Sequence, residues 1–296
     1  MSFEGVHAPL VTPFKADGEI DHELLGQHAL DLAGRGLSGL GVGGTTGEYY
    51  ALSFEERVKT FHTVAEAAGG KTYLTAGINA TTTREVLRLG QQAKSAGLSA
   101  LLVAAPYYAQ PTQDELLQHL LAIDDSLDMP IMLYNFPART GTEISDRVLE
   151  EVLDRPNFIG MKESTGDISH LHHLATHFGK KLILSCGMDD QALEFFVWGA
   201  RSWVAGAANF LPEVHAELLE VCVKKGDFTT GRALMTQLLP VLELLERGGK
   251  FIQYVRYGCE LAGTPVGNAR APLGVLTDDE RRDFAKLVQP LLRNGC

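Results

Sequence analysis

The chain lacks the features that mark several large classes of protein. No apolar run approaches the ~20 residues that a helix needs to cross a bilayer. The opening MSFEGVHAPLVTPF has neither a basic start nor a small-residue cleavage site, so neither a signal peptide nor a membrane span is expected. Cysteine is sparse. Cys186, Cys222, Cys259 and Cys296 are widely scattered, no two have metal-ligand or redox spacing, and reduced thiols in a cytoplasmic protein are expected. Basic charge is in deficit: 26 Lys and Arg against 37 Asp and Glu give a formal net charge of −11. That argues against nucleic acid and anionic membranes as partners, although a basic group in a cleft still suits a small anion. A nucleotide is not expected either, because GVGGTTG at 41–47 is glycine-rich but lacks the lysine of a phosphate-binding loop.

What is present is a recurring unit. About 45% of the chain is hydrophobic, with charge interspersed, which is enough for a sizeable core. Short apolar runs fall at 6–12, 39–44, 72–78, 100–106, 131–135, 158–162, 182–187 and 202–209, as in strands of a parallel sheet buried on both faces. Segments of helical period lie between them. Ser53 with Glu56 forms a capping-box signature, Gly97 closes a second helix, and Pro111-Thr112 opens a third. Eight strand–helix units without a linker favour a closed α/β (β/α)8 TIM barrel over an open doubly wound sheet. The eighth unit ends near residue 224. The sequence therefore divides into a catalytic barrel, 1–224, and a C-terminal helical extension, 225–296, with helices at roughly 226–247, 249–262 and 278–291, packed on the barrel or on another subunit.

Active sites of such barrels lie at the C-terminal ends of the strands. There the sequence places Thr45, Thr46 and Glu48 after strand two, Tyr107 and Tyr108 after strand four, Tyr134, Asn135 and Arg139 after strand five, Lys162 at the end of strand six, Cys186-Gly187 after strand seven and Gly206–Asn209 after strand eight. No histidine ends a strand and no carboxylate cluster is evident. Most of the ten histidines, as in HLHHLATH, read as solvated helix faces, so no metal and no other cofactor is expected. Each remaining group has a plain structural reading of its own: a lysine reaching solvent, a capped turn, a packing tyrosine, a surface arginine. Together, on one barrel face, they suggest more. A lysine amine at an apolar strand end is partly desolvated, a setting that favours the neutral form. A neutral amine beside a carbonyl makes a Schiff base. Tyr134, Tyr108 and Thr45 can relay protons, the GTTGE turn offers an anion nest, and Arg139 can fork onto a second carboxylate.

The motifs GTTGE, PYY, YNFPARTG and GMKESTGD, with similar spacing from LVTPF to the C-terminal helices, resemble the dihydrodipicolinate synthase / N-acetylneuraminate lyase family. The resemblance implies a Schiff-base lyase acting on pyruvate or a related 2-oxo acid, assembled as a homotetramer, a dimer of dimers. It implies that Lys162 forms the imine, that Tyr134 donates and accepts the proton beside it, and that Thr45 and Tyr108 complete the relay, Tyr108 reaching in from the neighbouring subunit. Thr46, the backbone near Val204 and Gly187 would contact the keto acid, and Arg139 would hold the carboxylate of a second substrate. Arg139 looks like the synthase branch, which condenses pyruvate with an aldehyde such as aspartate semialdehyde. WVAGAAN at 203–209 departs from the synthase pattern, and Trp203 and Gly206 are expected to alter the pocket wall. Tyr49, Tyr50, Phe54 and Arg57 stand where lysine-regulated synthases carry small residues and histidines, so lysine feedback is not expected. A 2-oxo-acid aldolase, a sugar-acid dehydratase and a hydroxypyrroline-carboxylate deaminase share the imine step and stay open, as does, more remotely, a non-catalytic ligand-binding barrel.

Overall fold

The computed structural model describes residues 2–294, so Cys296 lies outside the described residues. Strand and helix alternate: β1 (Gly5–Pro9), α1 (His22–Ala33), β2 (Gly39–Val42), α2 (Phe54–Ala68), β3 (Tyr73–Gly77), α3 (Thr83–Ala96), β4 (Ala100–Ala104), α4 (Gln113–Leu127), β5 (Ile131–Asn135), α5 (Pro137–Thr140), α6 (Asp146–Val152), β6 (Phe158–Glu163), α7 (Ile168–His177), β7 (Ile183–Cys186), α8 (Ala192–Val197), β8 (Ser202–Val204) and α9 (Pro212–Leu219). Three further helices follow: α10 (Phe228–Arg247), α11 (Phe251–Leu261) and α12 (Asp278–Asn294). Each strand pairs in parallel with the next, and β1 pairs with β8, which closes the barrel.

The start and stop signals operate as their chemistry requires. Ser53 and Glu56 bond reciprocally at the start of α2, and Thr112 and Glu115 do the same for α4. Gly97 ends α3 with φ 85°, a conformation that costs other residues a clash with their Cβ. Two strands stop earlier than the apolar runs suggest, β1 at Pro9 and β8 at Val204. The side chain of Asn209 explains both. Its Oδ1 accepts from the Val11 N–H (3.1 Å), and its Nδ2 donates to the carbonyls of Pro9 and Gly206 (both 2.9 Å). These bonds replace the ladder and turn the chain out of the sheet.

Burial occurs in two layers. A large core fills the space between strands and helices, and a smaller one, containing Phe3, Tyr73, Leu102, Met132, Tyr134 and Val204, fills the barrel interior. The reading of the histidines as solvated needs correction. His170, His172, His173 and His177 do sit at or near the surface of α7, but His7, His28, His119 and His215 are buried. Burial holds the imidazoles of His7, His119 and His215 down to a pKa of about 4, so they are neutral packing groups. Among the described residues no helix is long and apolar enough to cross a membrane.

The C-terminal helices are tied into the barrel mouth. Arg256 of α11 donates from Nε to Glu48 Oε1 (2.7 Å), from Nη2 to the Thr12 carbonyl (2.6 Å) and from Nη1 to the Val266 carbonyl (2.8 Å). The Arg270 N–H donates to Glu48 Oε2 (3.0 Å). Glu48 is fully buried, and its backbone has φ 56°. Leaving such a buried pair half made costs about 3–5 kcal/mol, so this contact fixes the turn that carries Thr45 and Thr46.

Candidate active site

A cavity of ≈ 320 Å³ opens at the C-terminal ends of the strands, within the range of small-molecule sites. Lys162, on β6, is buried and pairs in register with Tyr134 of β5 on one side and Ser185 of β7 on the other. In parallel strands residues in register point the same way, so Lys162 and Tyr134 both face inward. The Lys162 Nζ lies 4.5 Å from the centre of the Tyr134 ring, a cation–π distance. Among the described residues Lys162 has no carboxylate partner in salt-bridge range.

Gly187 is required by this crowding. A Cβ there would meet Ser164 Oγ at 2.0 Å, the Glu163 carbonyl at 2.6 Å and Lys162 Cε at 2.9 Å. Behind Lys162 the fully buried Glu163 accepts from Asn135 Nδ2 (2.8 Å) and from the Thr165 N–H (2.5 Å). These bonds lock the strand end that presents the lysine.

Of the residues singled out from the sequence, Thr45, Thr46, Tyr134, Arg139, Lys162, Gly187 and Val204 all line the cavity. Tyr108 does not. It is 93% exposed, with φ 68°, and does not line its own chain's cavity. Arg139 is exposed at the rim, with its guanidinium 5.8 Å from the Phe136 ring centre, and has no carboxylate partner among the described residues. Glu48, the last member of GTTGE, faces away from the cavity and serves the contact with Arg256. Trp203 does not reach the wall either. It is fully buried behind it, its ring centre 4.5 Å from that of His215 and tilted to it, whereas Gly206 and Phe251 take the wall position.

The expectation that no carboxylates cluster here is wrong. Asp189, after β7, and Glu246, from α10, both line the cavity. Asp189 accepts from Trp203 Nε1 and from the Gly206 N–H (both 2.9 Å), and its own N–H donates to Glu246 Oε1 (3.1 Å). Neighbouring Asp190 is spent on Arg247 (2.8 Å). Burial pushes the carboxyls of both Asp189 and Glu246 up. The Asp189 charge pushes Glu246 further, and Lys162 acts in the opposite direction on both. The two acids are 57 residues apart, so no local motif joins them. The available signal is Glu246 itself, four residues beyond Leu242 and beside Leu245 on the buried stripe of α10.

The family model for the dihydrodipicolinate synthetase family matches residues 2–291. The chain belongs to that family. Relatives agree: the 4-hydroxy-tetrahydrodipicolinate synthase 1 of Halalkalibacterium halodurans is 30% identical over 98% of both chains. The dihydrodipicolinate synthase of Aquifex aeolicus superposes with a TM-score of 0.92, 29% identity and 99% coverage of both chains. A prophage protein of the dihydrodipicolinic acid synthase family from E. coli K12, solved in complex with pyruvate, gives a TM-score of 0.93 at 28% identity over the full length of both. As a member of the dihydrodipicolinate synthetase family the chain is an aldolase-type lyase that works through a Schiff base. In this chain a lysine amine, Lys162, is enclosed beside a phenol, Tyr134, at the barrel mouth.

Proposed function

We propose that the chain condenses pyruvate, or a related 2-oxo acid, with an aldehyde such as aspartate semialdehyde, through an imine on Lys162. The Lys162 amine adds to the keto carbon, and the carbinolamine loses water to give the protonated imine. Loss of a proton from the adjacent methyl carbon leaves an enamine, whose carbon forms the new C–C bond to the aldehyde. Hydrolysis of the imine returns the free amine.

The observation that carries this reading is Lys162 buried against the Tyr134 ring in a cavity that offers it no carboxylate partner among the described residues. Tyr134 passes the proton at the imine and at the new hydroxyl, with Thr45 as its relay. Thr46 and the backbone near Val204 receive the keto-acid carboxylate, Gly187 leaves room for the lysine stem, and Arg139 receives the carboxylate of the aldehyde. In this proposal Tyr108 completes the relay of a neighbouring subunit in a homotetramer. Its exposure and its absence from its own chain's cavity support that role. The protein acts in the cytoplasm, with residues 1–224 as the catalytic barrel and 225–296 as its helical extension. The test is pyruvate with borohydride: the peptide containing Lys162 gains the mass of reduced pyruvate, and Lys162→Ala loses both the adduct and turnover. Wild-type protein left unlabelled by every small 2-oxo acid overturns the proposal.

A further inference from the structure

Charge is divided across the mouth. Arg139 follows β5, Lys162 is the last but one residue of β6, and Asp189 follows β7 with Glu246 behind it. The neighbours on which the Arg139 charge acts are Tyr49 and Tyr50. The charges that act on Glu246 are those of Asp189, Asp190 and Lys162. The two groups therefore occupy opposite flanks of the nucleophile.

Of the three acids on the β7 flank, two are committed. Both oxygens of Asp189 are taken up by Trp203 and Gly206, and Asp190 holds Arg247 with Oδ2 and does not line the cavity. Glu246 uses only Oε1, on the Asp189 N–H. Among the described residues Oε2 has no hydrogen-bond partner and Glu246 has no cation in salt-bridge range. Glu246 is half-buried, and a main-chain hydrogen bond holds it at the wall of the cavity that contains Lys162, with Oε2 left to a ligand.

We propose that Glu246 receives a hydrogen-bond donor, an ammonium or a hydroxyl group, on the carbonyl compound that the Lys162 enamine attacks; this rests on the function proposed above. Arg139 binds that compound's carboxylate, the enamine takes its carbonyl carbon, and Glu246 reads the substituent on the remaining flank. Asp189 is a positioning residue for Glu246. With Oε1 on the Asp189 N–H, Oε2 is the carboxyl oxygen left to accept from either an ammonium or a hydroxyl.

Three aldehydes of one skeleton test it: aspartate semialdehyde (ammonium at C2), 2-hydroxy-4-oxobutanoate (hydroxyl) and 4-oxobutanoate (hydrogen). Wild-type kcat/KM is expected to favour one of the donor-bearing aldehydes over 4-oxobutanoate by about 10- to 100-fold, the worth of a hydrogen bond to a charged or buried group. Glu246→Leu and Glu246→Ala should erase that preference while turnover of 4-oxobutanoate and the pyruvate adduct on Lys162 persist. Glu246→Gln separates the two donors: it retains most of a hydroxyl preference and loses an ammonium preference. The proposal fails if wild type treats the three alike, if labelled wild type turns over neither donor-bearing aldehyde, or if the Leu and Ala variants keep the preference. Absence of the adduct in wild type is a different failure, that of the Schiff-base reading itself.

Discussion

The two ends of the barrel differ in how they treat charge and space. At the N-terminal floor Phe3 packs edge-on against Tyr73 (5.2 Å) and near His7 (6.5 Å), and only ≈ 20 Å³ remains above them. Outside the floor lies a recess of ≈ 720 Å³, larger than the mouth cavity, but its cations are already paired, Arg201 with Glu4 (3.3 Å) and Lys224 with Glu220 (2.8 Å). At the mouth, Lys162, Arg139 and Glu246 are each left without an ion partner among the described residues. Volume alone would select the wrong end. What distinguishes a site from a recess is unspent chemistry held in place by spent chemistry behind it, here Glu163, Asn135 and Asp189.

Substitutions can break that contrast, and their expected effects descend in size. The largest is the complete loss of turnover and labelling in Lys162→Ala, with the melting temperature unchanged or higher because a buried polar amine without an ion partner is removed. Tyr134→Phe keeps the ring under Lys162 and removes only the hydroxyl. Turnover should fall by about 10²–10⁴, the usual worth of a positioned proton donor, with the thermal transition within a few degrees of wild type. At the floor the pattern inverts. Phe3→Ala should cost about 3 kcal/mol of stability through the cavity it leaves, measured by denaturant unfolding, with kcat retained at temperatures where the variant is folded. The smallest effect is a slope. His7, His119 and His215 are neutral in the folded chain down to a pKa of about 4, against 6.5 when unfolded. The unfolded chain therefore binds more protons between these values, and stability falls as pH drops from 6.5 to 4. Melting temperatures across that window check it, and His7→Asn should flatten part of the slope.

Much of this was legible because local chemistry carried it. Ser53, Gly97 and Thr112 announce helix ends through bonds that span only a few residues, and Lys162 stands out as the one charge closing an apolar run. The rest depended on contacts that no window of sequence contains. Asp189 and Glu246 meet across 57 residues, and Asn209 stops β1 from 198 residues away. Helical period shows that α10 has an apolar face, not that this face would bring a carboxyl to the cavity. Trp203 was legible as bulky but not as outward-facing, because β8 is only three residues long and so gives too little alternation to fix its phase.

The contact between Glu48 and Arg256 has a consequence for synthesis. Glu48 is translated 208 residues before its partner, so the turn that carries Thr45 and Thr46 is made long before the contact that fixes it. Every strand of the barrel has been made once β8 has emerged, but the contact that fixes this turn needs α11. A chain that stops before that helix has every strand of the barrel but lacks the partner that holds its mouth.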